Sequence, residues 1–214
     1  QTNTGPILGN RISTRRLQST QDANGDLDND NMEIEARFIN LNREEVEQKL
    51  KDIGALRICN SFFREWLFFY KGNLDWDSNH KRIRVRTDGE KTWITYKANR
   101  TFAVDSTEEI ELAVSSPEDA LKFMKATGIP LQRYQEKERT SYKLDNIVFD
   151  LDVWPKIPMV LEIEAPREER VKRGAELLGL QWEDAIFVDQ KVLHKQYYGI
   201  DLNEIAEYVF EKRK

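Results

Sequence analysis

Glu33-Ile34-Glu35-Ala36-Arg37-Phe38 is the stretch on which the reading of this chain turns. As a strand it sets Glu33, Glu35 and Arg37 on one face and Ile34, Ala36 and Phe38 on the other, because successive side chains alternate. The apolar face can pack; the opposite face carries two carboxylates and a guanidinium in a row. The pattern returns down the chain. Arg82, Arg84 and Arg86 alternate with Ile83 and Val85, and Glu109 and Glu111 with Ile110 and Leu112. Asp150 and Asp152 alternate with Leu151 and Val153, and Glu162 and Glu164 with Leu161 and Ile163. Like charges side by side on a sheet are destabilising. Five such strands in a small domain therefore need a common explanation. The simplest is a barrel with a charged interior, in which metal ions and a polyanion neutralise the two signs.

The chain has 214 residues and a formal net charge of -5. That length fits one domain, or one domain plus a tail. Residues 1–31 hold few large apolar side chains and predict a flexible polar arm, leaving residues 32–214 as the folded domain. Within the arm, Asp22 to Asp26 with Glu33 echoes a calcium loop, but Leu27 stands where that loop requires glycine. Cys59 is the only cysteine, so no internal disulfide is available. It lies in an apolar run and reads as a small buried hydrophobe. With no apolar run of about 18 residues and no signal-peptide core, the expectation is a cytoplasmic protein, monomeric or homodimeric. The acidic balance argues against broad nucleic-acid or membrane binding while leaving room for a local basic site.

Punctuation residues place the elements. Asn42-Arg43-Glu44-Glu45 is a capping box, followed by Val46, Leu50 and Ile53 at helical spacing and by Gly54 as a stop. A β-like run covers residues 62–70, and a polar loop covers 71–79. Residues 81–86 and 92–97 flank Asp88-Gly89 and read as a hairpin. A strand at 107–114 precedes a helix capped by Ser116, with Pro117 at its first position and Gly128 at its end. Residues 133–142 predict a long strand with Lys137 and Arg139 on one face. Strands at 147–153 and 159–163 flank a stiff Trp154-Pro155-Lys156-Ile157-Pro158 connection. A helix over 168–178 ends at Gly179, and two more are predicted at 189–198 and 201–214. This makes about eight strands and five helices without a strand-helix-strand rhythm, hence a mainly antiparallel α+β domain.

Hard cations such as Mg2+ and Mn2+ take oxygen ligands. Glu33, Glu35, Asp152, Glu162 and Glu164 supply them if barrel closure makes the first and last strands neighbours. Arginine forks suit phosphate oxygens and lysine offers a compact charge, so Arg82, Arg84, Arg86, Lys97 and Arg139 form a candidate polyphosphate cradle. Lys191 or Lys195, on the helix over 189–198, is a candidate to reach the mouth, a solvated helix face being the alternative. A metal half and a basic half together are the equipment of phosphoryl transfer. Other chemistries lack parts. There is no nucleotide-binding glycine motif, and His80 and His194 have no partner pattern for nucleophilic catalysis.

These motifs, in this order over residues 32–199, resemble the CYTH family of triphosphate tunnel metalloenzymes. The resemblance implies an eight-stranded antiparallel barrel forming a tunnel, a triphosphate-containing small-molecule substrate and divalent metals. It also implies that Arg82, Arg84, Lys97 and Arg139 hold phosphates and that Glu33, Glu35 and Glu164 hold the metal that orients them. Asp152 and Glu162 would help place a second metal that activates water. Two departures stand out. The family signature E-x-E-x-K ends here in Arg37, and arginine cannot serve as a proton acceptor. The cyclases of the family carry a His-Phe pair shortly before that signature, whereas Asn29-Asp30-Asn31-Met32 stands here. The expectation is a metal-dependent triphosphatase in which Arg37, Glu35, Asp152 and Glu162 carry the catalysis. An adenylyl cyclase and a non-catalytic polyphosphate-binding module are the alternatives.

Overall fold

The computed structural model describes residues 34–78, 80–99 and 107–211. Glu33, the arm of residues 1–31 and its calcium-like loop lie outside them. In chain order the elements are β1 (Ile34–Phe38), α1 (Arg43–Asp52), β2 (Leu56–Phe68), α2 (Leu74–Ser78), β3 (Arg82–Thr87), β4 (Thr92–Asn99) and β5 (Thr107–Val114). Then come α3 (Pro117–Thr127), β6 (Leu131–Leu144), β7 (Ile147–Val153), β8 (Val160–Ala165), α4 (Glu168–Leu177), α5 (Gln190–Tyr198) and β9 (Glu207–Tyr208). Single 3-10 turns fall at Trp182–Asp184 and Leu202–Glu204.

The first eight strands form one antiparallel sheet in the order β1-β8-β7-β6-β2-β3-β4-β5, and β9 lies parallel beside β6. Strands far apart in that order come close in space. The Glu35 carboxylate on β1 is within electrostatic reach of Lys97 on β4 and Arg82 on β3. The sheet is thus curled around its charged face. Among the described residues no β1–β5 ladder completes the ring expected of a barrel. The free edge of β1 is taken instead by Ile186, which exchanges both backbone hydrogen bonds with Arg37 at 3.0 and 2.9 Å.

The outward faces of β1, β7 and β8 supply the main core. Ala36, Phe38, Phe149, Leu151, Leu161 and Ile163 pack with Val46 and Leu50 of α1 and Val171 and Ala175 of α4. The N-cap of α1 forms: Asn42 Oδ1 accepts from the Glu45 N–H at 3.0 Å. Gly174 lets α4 lie flat on the sheet, because a Cβ there would stand 2.9 Å from Ile163 Cγ2. A smaller core joins Phe68 and Val85 to Ala120 and Met124 of α3.

The chain's last stretch departs most from expectation. The helix predicted over 201–214 is a single 3-10 turn followed by β9. Asp201 caps it, accepting from the Asn203 N–H at 3.0 Å. However, β7 pairs only with residues 138–144 of β6, leaving the backbone of the first half of β6 without partners on that side. Buried backbone groups must be paired, and the chain meets them there: the Tyr134 N–H donates to Ala206 O at 2.8 Å, and β9 aligns with Tyr134 and Gln135. Tyr208 is buried against Trp154, Leu193 and Leu202 in a third apolar cluster, and its hydroxyl donates to Pro155 O. A helix would have withdrawn it. Other differences are small. β2 starts at Leu56, six residues before the predicted run, and the 71–79 loop contains the short α2.

Candidate active site

Strand register fixes which charges meet. β1 and β8 oppose Glu35 to Glu164 and Arg37 to Glu162, while β8 and β7 oppose Glu162 to Asp150. Glu35, Glu162 and Glu164 each offer one oxygen within 4.8 Å of the others. Arg37 threads between two of them, at 2.5 Å from Glu35 and 2.9 Å from Glu162, and its other terminal nitrogen donates to Val188 O. Burial, and then the charge of Glu162, raises the Glu35 carboxyl above its ordinary range, with Arg37 opposing. Burial works against the Arg37 charge, but Glu162 and Glu35 outweigh it and push its pKa further up. Glu162 is held below its usual value because Arg37 and Arg139 overcome its burial.

These three carboxylates suit a hard divalent cation. They are oxygen donors from two neighbouring strands, mutually repulsive, and ionised at a cost that Glu35 registers in its raised pKa. Asp152 falls outside this group. Arg139 grips it with two bonds of 2.6 and 2.7 Å, and Lys137 donates to it at 3.0 Å. Burial would raise its pKa, and those two cations drive it well below the normal carboxylate range. Expected as a metal ligand, it is engaged here by two cations. Arg139 also pairs with Asp150 and lies 3.4 Å from Glu162, so the guanidinium is surrounded by acid.

The basic half stands on β3, β4 and β6. Arg84 opposes Thr95 and Arg82 opposes Lys97 across β3–β4. Lys97 is committed to Glu109 at 2.5 Å. Arg82 has no carboxylate within 4.0 Å among the described residues, and burial, then Arg84, lowers its pKa. Arg84 lies 3.6 Å from Glu65, and Arg86 lies 3.7 Å from Glu111 with its head over the Phe63 and Trp93 rings. Among the described residues the buried Nε–H groups of Arg84 and Arg86 have no acceptor. Orphaned cationic donors of this kind fit anionic oxygens.

Three further side chains join the site: Lys137, already expected on one face with Arg139 but given no role, and Arg133 and Glu65, which the sequence did not single out. Lys137 and Arg133 share the inward face of β6 with Arg139, and both are buried. Burial, then Arg139, lowers the Lys137 pKa; burial, opposed by Glu65 and aided by the charge of Arg82, takes Arg133 down to about 10. The unbroken alternation Arg133-x-Gln135-x-Lys137-x-Arg139 could have disclosed them. Glu65, 1% exposed, is a lone acid in an aromatic run and left no such signal. On α5 the structure separates the two lysines. Lys195, expected at the mouth, is two-thirds exposed and bound to Asp201 at 2.7 Å. Lys191 lies within electrostatic reach of Arg82 and Arg133, and burial leads in lowering its pKa.

Comparison with known proteins fits this geometry. The model of the CYTH domain matches residues 31–184. A candidate adenylate cyclase of Methanocaldococcus jannaschii is 24% identical over 134 residues, which span 62% of this chain and 76% of that protein. Among solved structures, the PH1012 protein of Pyrococcus horikoshii is 28% identical with a TM-score of 0.62, over 74% of this chain and 96% of its own. HpAC1 of Hippeastrum, an adenylyl cyclase candidate with a dominant triphosphatase activity, shares 13% identity and a TM-score of 0.56, over 81% of this chain and 98% of its own. At that identity the likeness is one of fold.

Proposed function

The chain belongs to the CYTH domain family, and from that premise we propose that it hydrolyses a triphosphate-bearing small molecule with the help of Mg2+ or Mn2+. Members of the family are metal-dependent enzymes that take triphosphates, as cyclases or as triphosphatases. The observation that carries the hydrolase reading is the division of one sheet face. On one side stand Arg82, with no carboxylate within 4.0 Å among the described residues, and Arg84 and Arg86, whose buried Nε–H groups have no acceptor there; Glu35, Glu162 and Glu164 gather on the other.

In this reading Arg82, Arg84 and Arg86 bind the phosphate chain, with Lys137, Arg133 and Lys191 adding charge along its path. Glu35, Glu162 and Glu164 hold the cation, which when bound offsets the negative charge of the phosphate oxygens. Arg139 and Lys97, already paired with carboxylates, hold the walls rather than the substrate. Arg37 stays ionised and stabilises negative charge beside the carboxylates; it takes no proton. Water attacks the terminal phosphorus, the bond to the bridging oxygen breaks, and the charge left on the departing diphosphate falls among the arginines.

The test is to incubate the protein with tripolyphosphate, thiamine triphosphate and ATP, each with Mg2+ or Mn2+, and to assay orthophosphate, pyrophosphate and cyclic AMP. Metal-dependent orthophosphate release is the expected result. Pyrophosphate together with cyclic AMP from ATP would overturn it in favour of a cyclase. Binding without any product would make the domain a polyphosphate-binding module.

A further inference from the structure

Glu65 is a fully buried carboxylate set among the cations of the basic half. It projects from β2, opposite Gln135 on β6 and Arg86 on β3. Its Oε2 accepts from Gln135 Nε2 at 2.6 Å, and Gln135 Oε1 accepts from Arg133 Nε at 2.7 Å. The other oxygen, Oε1, is buried without a hydrogen bond and lies 3.6 Å from Arg84 Nη1. The pair is therefore close in charge but not closed in geometry. Arg84 Nε–H and Arg86 Nε–H are likewise left open. Burial alone would raise the Glu65 carboxyl. Arg84, Lys137, the Gln135 hydrogen bond and Arg86 outweigh it and keep the group ionised.

We propose that Glu65 is a positioning residue of the anion cradle: a built-in counter-anion that spreads and holds the Arg84 and Arg86 heads in the empty site and competes with an incoming phosphate for them. The proposal rests on the reading of this face as a polyanion site. Three cationic side chains, Arg84, Arg86 and Lys137, converge on Glu65 and would repel one another without it. A phosphate group entering the cradle meets orphaned donors already aimed, but also a fixed negative charge. Glu65 thus trades tightness of binding for an ordered cradle and for release of a polyanionic product.

The experiment is calorimetric titration of the full chain with tripolyphosphate in a chelating buffer, so that no metal contributes. Glu65→Gln keeps the shape and the Gln135 contact while removing the charge. By Coulomb's law in a partly screened interior, one unit charge a few ångströms from a phosphate is worth about tenfold in affinity. The variant should bind tripolyphosphate at least about tenfold more tightly, with a steeper loss of affinity as salt rises. A residue serving only to fill space and support the fold would leave binding equal or weaker, and that result in folded Glu65→Gln protein would overturn the proposal. If the single variant does not fold, Glu65→Gln joined to Arg84→Gln restores the charge balance. That double variant should bind more tightly than Arg84→Gln alone, and equal or weaker binding would again overturn it. Turnover is read separately. A binding difference without hydrolysis would sink only the hydrolase reading, whereas hydrolysis without the binding difference would sink only the role of Glu65.

Discussion

At Arg37 the chain fixes a permanent charge between Glu35 and Glu162 and anchors it to Val188 O. Arg37→Ala should lower turnover about 10²-fold, the usual loss for one preorganised charge contact. Arg37→Lys should stay within about tenfold of wild type if the role is charge alone, since one ammonium cannot span all three partners. A pH–rate profile of the three proteins with tripolyphosphate and Mg2+ decides it: a lysine variant that overtakes wild type toward alkaline pH would assign this position to proton transfer. Asp152 governs the other end of the pH scale. Its pKa is depressed in the fold, so its stabilisation is complete above the unfolded value of about 4 and is lost as pH falls through the folded value. In chelator, the melting temperature should drop on acidification below about pH 4. Asp152→Asn should flatten that acid limb and cost about 3 kcal/mol at neutral pH, because it leaves Lys137 and Arg139 short of a buried partner. Urea melts across pH would show it; an unchanged acid limb would remove Asp152 from the account.

Strands were legible in the sequence because a charged face and an apolar face alternate with period two, and caps such as Asn42 and Ser116 marked helix starts. What period two cannot reveal is which strand lies beside which. Lys137, Arg133 and Glu65 enter the site only through the β2–β6 and β2–β3 registers. The helix written into 201–214 by Asp201 and Glu204 lost to the unpaired edge of β6, a demand set by a strand some seventy residues earlier in the chain. Close packing was equally hidden. Gly174 reads as a weak point in a helix, yet the sheet requires it. Gly174→Ala should destabilise the protein by about 1–3 kcal/mol through overpacking against Ile163 and Ile147, even though alanine is the better helix former. A denaturant melt tests this; a gain in stability would mean that α4 can lift without cost.

Across the described sheet Arg82, Arg84 and Arg86 gather on one side of the charged face and Glu35, Glu162 and Glu164 on the other, so an anion held by the arginines should stabilise the fold by mass action. Tripolyphosphate at about 100 times its Kd should contribute about 2.7 kcal/mol, seen as a rise in melting temperature. Arg84→Ala should shrink that rise, whereas Lys122→Ala on the exposed face of α3 should not; equal rises in both would place the anion elsewhere. One arrangement reaches further. Residues 186–208 supply the β1-edge partner Ile186, the Val188 carbonyl that tethers Arg37, the Leu202 carbonyl that receives Arg133, and the β9 strand that completes β6. The charged face is drawn from strands between residues 34 and 165, but its two flanking arginines are seated only by a segment that follows all of them. Until residues 186–208 fold onto the sheet, the charged strands stand with Arg37 and Arg133 untethered, so the cradle is finished from outside itself.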